Sequence, residues 1–160
     1  MFGLTQLGVV HTLISLVALA AGIVALVRDH EISPHNKTGQ LYIWTTVLTC
    51  LTGFGIFQHG GFGKPHVLGI LTLLILGFAT WVGRSKPFGH FTRPIEVGSY
   101  SLTFLLHLIP GTIETLTRLP LGAPKFSGAE DPGLSPILGT VFVVWAIGVV
   151  LQLRKMGRSR

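Results

Sequence analysis

Residues 4–27 read LTQLGVVHTLISLVALAAGIVALV, and no Lys or Arg precedes Arg28. A helix crossing ~30 Å of hydrocarbon needs about 20 mainly apolar residues, so this run is long enough for one crossing. The small residues of ALAAG would also suit a cleavage site. A signal peptide, however, carries a basic n-region, and with none here the run reads as an uncleaved first span.

Four further apolar runs follow, at about 39–58, 66–83, 95–117 and 134–153. The third is short and draws in Pro65 and His66 at one end and Gly83 at the other. Ser33-Pro34, Gly60-Gly61 and Lys64-Pro65 punctuate the early loops, and the longest loop, RLPLGAPKFSGAEDPG, is rich in Pro and Gly. Ser135 followed by Pro136 reads as the N-cap and first residue of the last helix. The expected fold is all-α: one domain over residues 1–160, a bundle of five transmembrane helices.

Composition agrees. Of 160 residues, 48% are hydrophobic and only 11% charged, and the mean hydropathy is +0.62. A water-soluble domain carries about a quarter charged residues. The net charge of +6 does not point to nucleic acid, because the basic residues fall between apolar runs and at the C-terminus, where they suit lipid headgroups. Of the 12 Lys and Arg, those in the first loop (Arg28, Lys37), the third loop (Arg84, Lys86, Arg93) and the tail (Arg154, Lys155, Arg158, Arg160) share one side. Lys64, Arg118 and Lys125 lie on the other. The positive-inside rule then puts the N-terminus outside and the C-terminus inside. Cys50 stands alone and forms no internal disulfide.

Small residues at helix-packing spacing, Ala18 with Gly22 and Gly69 with Gly77, suggest close backbone approach between spans. Seven histidines are unusual in so apolar a chain. His30, His35 and His90 fall in inner loops, and His59 and His66 in the loop between the second and third runs. His11 and His107 lie within runs, about 10 Å and about 16 Å below the outer surface at 1.5 Å per residue. Glu114 is two turns beyond His107 on the same face, and Pro110 between them removes a backbone hydrogen bond to Leu106. Ionisable groups at such depth often mark a pathway, a ligand or a cofactor. They also serve as interhelical hydrogen-bonding groups, and Glu114 can pair with Arg118 four residues on.

Three chemistries suit these residues. Haem b takes two axial imidazoles from facing helices, here His11 and His107, with His66 as substitute and Glu114 tuning proton uptake. A transition metal could use His11, His66, His107 and Glu114, although no HxxxH or HExxH occurs. A proton relay could run through His107 and Glu114. GGFGK lacks the spacing and the hydroxyl residue of a phosphate loop, and no nucleophile elbow is present.

VVHTLISLVALAAGIVAL, HNKTGQLY and GSYSLTF together resemble a family of small uncharacterised bacterial polytopic membrane proteins. The resemblance implies a multi-helix fold in the cell membrane, most simply a bacterial inner membrane, and brings no established reaction. It draws attention to His11, His35 and Tyr100. His35 as a ligand, with His30 or His90, would make a second inner site like that of two-haem cytochromes of the b561 type, but no span contributes a buried partner. The expected function is a multi-pass protein binding haem b in an electron-transfer role, with the bilayer, a redox partner or a second copy as partners. The alternative is a non-enzymatic transport, relay or scaffold protein.

Overall fold

A computed structural model describes residues 5–56, 61–120 and 123–158. All of the regular structure among them is helical: α1 (Gln6–Val24), α2 (Lys37–Gly53), α3 (Lys64–Ser85), α4 (Thr92–Arg118) and α5 (Leu134–Arg158). His59 lies outside the described residues. The chain forms two compact units, Met1–Phe104 and Leu105–Arg160, and the division falls within α4.

Local chemistry sets the helix starts. Thr5 Oγ1 accepts from the Gly8 amide at 3.1 Å, and Asn36 Oδ1 accepts from the Gly39 amide at 2.7 Å. Each thereby satisfies one of the amides that a first turn leaves unpaired. α1 widens into a π turn at Ala25–Asp29 and stops at His30, whose φ is 62°. Arg28 pairs there with Asp29 and also donates to Thr38 Oγ1 at 2.9 Å. α5 begins one residue before Ser135, an offset within the usual fraying of helix ends.

In the first unit, Ala18, Ala21, Gly22 and Ala25 form a buried stripe on one side of α1. A Cβ on Gly22 would lie 2.6 Å from the Phe104 ring and 3.1 Å from that of Tyr42. The stripe is therefore what lets α2 and α4 come close. Gly69 plays the same part against Phe54, but Gly77 meets no described residue within 4 Å and is not a packing glycine here.

Polar groups tie the helices together inside. Thr103 Oγ1 gives its proton to the Tyr100 carbonyl, so Tyr42 Oη, 2.9 Å away, must donate to it. By the same logic, Tyr100 Oη donates to Thr80 Oγ1 at 3.0 Å, because Thr80 already donates to Leu76 O. Tyr42, Tyr100, Thr46 and Thr103 are fully buried, while Leu13 is 59% and Val27 73% exposed. Polar groups inside and large aliphatic groups outside invert the arrangement expected in water.

Among the described residues, three helices are long and apolar enough to cross a membrane: Gln6–Asp29, Lys64–Ser85 and Leu134–Gly157. α3 extends beyond the expected 66–83 at both ends. α2 has 17 residues, about 25 Å at 1.5 Å each, because the chain turns at Phe54. α4 has the length, with 27 residues, but Glu96, Ser99, Ser101, Thr103 and His107 dilute its apolar character. It runs through Pro110 as one helix.

Candidate functional site

A polar cluster of the first unit lies where the α1–α2 and α3–α4 connections meet. α3 ends at Lys86 in the left-handed region, φ 50°, with its amide bonded to Val82 O at 3.0 Å. A short 3-10 turn, Gly89–Phe91, then feeds α4. This geometry sets Thr92, Arg93 and Glu96 on the first turns of α4, facing Glu31 and His35 from the other connection.

Arg93 is the hub. One of its amino groups donates to Glu96 Oε2 at 3.0 Å and the other to Glu31 Oε1. Glu96 is only 4% exposed, and a carboxylate so desolvated persists as an ion only beside a counter-charge. Two carboxylates share this one guanidinium, and Glu96 Oε1 has no hydrogen-bond partner among the described residues. The same holds for the buried Thr92 Oγ1. Glu96 fits because residue 83 is glycine: a Cβ there would lie 2.7 Å from Glu96 Cδ and closer still to Oε1. Glu96, Thr92 and Arg93, with Lys86 and His35, line a cavity of about 330 Å³.

The residues singled out by sequence have other settings. His11 Nδ1 lies 3.1 Å from Thr52 Oγ1. Thr52 directs its own proton to the Leu48 and Thr49 carbonyls, so Nδ1 carries the ring hydrogen and donates it, leaving Nε2 as acceptor. His66 has the opposite tautomer. Its Nδ1 accepts the Gly63 amide at 3.2 Å, so the proton sits on Nε2, and the ring packs on Phe54 and Phe62. A ring in that state caps α3.

His107 and Glu114 belong to the second unit. His107 is buried, whereas Glu114 is exposed and pairs with Arg118. Tyr100 is a buried strut between α4 and α3, outside the cavity lining. His35 does reach the cavity. No three His, Cys, Asp or Glu side chains gather in a metal-holding group among the described residues.

Sequence reasoning passed over Glu96, Glu31 and the pairing role of Arg93. The available signal was Glu96 itself, an acidic residue inside an expected span and three positions after an arginine. No known protein family, characterised protein or solved structure matches the chain.

Proposed function

We propose that the protein is a five-span integral membrane protein, N-terminus outside, that acts as a non-enzymatic binding or scaffold protein at the inner membrane face. The charge cluster at the α3–α4 turn carries this reading, because it is where the chain buries a carboxylate next to an open cavity. Lys and Arg asymmetry assigns that end to the inside. α2 and α4 cross as the polar-lined partners of more apolar helices, since polar groups within a bilayer are tolerated where they face protein.

The test is accessibility of single cysteines in a Cys50→Ser background in sealed inverted and right-side-out vesicles. Lys86→Cys should label only from the inner face and Lys64→Cys only from the outer. Resistance to alkaline carbonate extraction checks insertion itself. Labelling of Lys86→Cys from outside would refute the assignment.

One observation favours a second reading, haem b with His11 as a ligand. His11 donates Nδ1–H to the Thr52 hydroxyl, the kind of outer contact by which a ligating histidine is usually oriented. The purified protein, expressed with haemin supplied, would then show a Soret band that shifts on reduction with dithionite. A featureless spectrum eliminates this reading.

A further inference from the structure

The cavity at the α3–α4 turn has a charge pattern that a ligand would complete. Two carboxylates, Glu31 and Glu96, share the single guanidinium of Arg93, and one oxygen of the buried Glu96 has no donor among the described residues. Lys86 stands on the cavity rim as the exposed last residue of the α3 turn, and Thr92 adds a hydroxyl. The lining thus offers a carboxylate for an ammonium, and a lysine and a hydroxyl for an anion.

Depth narrows the ligand. α3 is apolar and long enough to cross the membrane, so its end lies at headgroup level. Exposed aromatic residues mark the same level: Phe78 lies 6.0 Å from Trp81, Trp81 meets Phe88 edge-on at 6.3 Å, and Phe91 projects beside His90. Trp gathers at the membrane–water boundary, and Trp81 sits about one turn before the end of α3. A volume of about 330 Å³ is at the low end of ligand pockets, ~300–1,000 Å³, and suits a headgroup rather than an acyl chain.

We propose that this cavity binds a phosphodiester bearing a primary ammonium, the ethanolamine-type phospholipid headgroup, with the ammonium on Glu96 and the phosphate on Lys86 and Thr92. Glu96 Oε1 lies turned against Gly83. The Glu96 carboxylate, whose terminal torsion is soft, is among the groups that line the cavity. A choline headgroup has no N–H to donate, so the site discriminates between the two. The inference rests on the membrane placement proposed above and deepens it.

The test is native mass spectrometry of the full chain in mild detergent with equal concentrations of short-chain phosphatidylethanolamine, phosphatidylcholine and phosphatidylglycerol. Ethanolamine lipid should bind at least 10-fold more tightly than choline lipid. Glu96→Gln should bring it to the choline level and leave choline binding unchanged. Lys86→Met, a change at an exposed position that keeps the fold if Glu96→Gln does not, should weaken all three. Soluble glycerophosphoethanolamine competing as well as the lipid identifies a free ligand as the source, and failure to compete identifies the bilayer lipid. Equal binding of ethanolamine and choline lipids by the wild-type chain overturns the proposal, as does a Glu96→Gln variant that keeps the preference. A chain that resists carbonate extraction but shows no preference loses this inference alone, whereas one that is extracted loses the membrane reading itself.

Discussion

Gly39→Ala puts the packing argument at its greatest risk, because helix propensity and tertiary packing predict opposite signs. Gly39 is the third residue of α2, and its amide donates to the Asn36 cap at 2.7 Å. A Cβ there would lie 2.7 Å from Ser33 C and 2.9 Å from Ser33 N, and closer still to Ser33 O. Carbon atoms in contact sit ~3.5–4.0 Å apart, so loop and helix must separate by roughly 1 Å. The obstacle is backbone, which has no rotamer to change. Overpacking of this kind costs about 1–3 kcal/mol, and disturbing the cap adds up to about 1 kcal/mol. Alanine returns at most about 1 kcal/mol of helix propensity, which leaves a net loss of up to about 3 kcal/mol. Gly77→Ala is the matched control, since nothing described lies within 4 Å of it. It should be neutral or stabilising by up to about 1 kcal/mol. Thermal unfolding in mild detergent, followed by circular dichroism, reads both. A Gly39→Ala protein as stable as the wild type would refute the close approach of residue 33 to α2.

Arg93→Met leaves Glu96 buried without a counter-charge and should destabilise the chain by about 3–5 kcal/mol, whereas Arg93→Met with Glu96→Leu should recover most of the loss; the same unfolding assay tests both. Tyr42→Phe removes the donor to Thr103 Oγ1 and should cost about 1 kcal/mol, with Tyr100→Phe similar. Outside the spans, amides of Ser127 and Gly133 and the Ser127 hydroxyl hold the Asp131 carboxyl below the usual carboxylate range. A lowered folded pKa means the loop's stabilisation is present above the unfolded value of ~3.9 and is lost as pH falls through the lower folded value. Amide-exchange protection at Gly133 should therefore persist at pH 5 and fade below about pH 3.9, and Asp131→Asn should flatten that dependence.

The helical class was legible because apolar runs about 20 residues long have few structural outcomes. Where α2 stops was not, since the turn at Phe54 follows from contacts that no local pattern announces: Leu7 beneath Gly55 and His11 beneath Gly53. The histidines drew attention because they are costly in an apolar run, and that reasoning gave them weight without geometry. His66 follows Pro65 near a helix start, and its tautomer is set by a backbone amide three residues earlier. Glu96 escaped notice for the converse reason. Its neighbour Arg93 reads as one more inner positive charge until the fold brings Glu31, 62 positions away, to the other side of the same guanidinium.

That shared guanidinium bears on what the first turns of α4 are for. An arginine needed only to neutralise Glu96 would be satisfied by a bidentate pair, the strongest geometry available to it. Arg93 instead splits its two amino groups between carboxylates from different connections, which leaves Glu96 with a single charged contact and an oxygen turned against a glycine. The arrangement fixes the position of Glu31 at the expense of completing the shell around Glu96. A cluster selected for stability alone would do better with alanine at Gly83 and an apolar residue at Glu96, since replacing a buried ion pair by well-packed apolar groups is often neutral or stabilising. Keeping the carboxylate, the glycine that admits it and the cavity beside it is explained more simply by something that enters the cavity than by the fold's own needs.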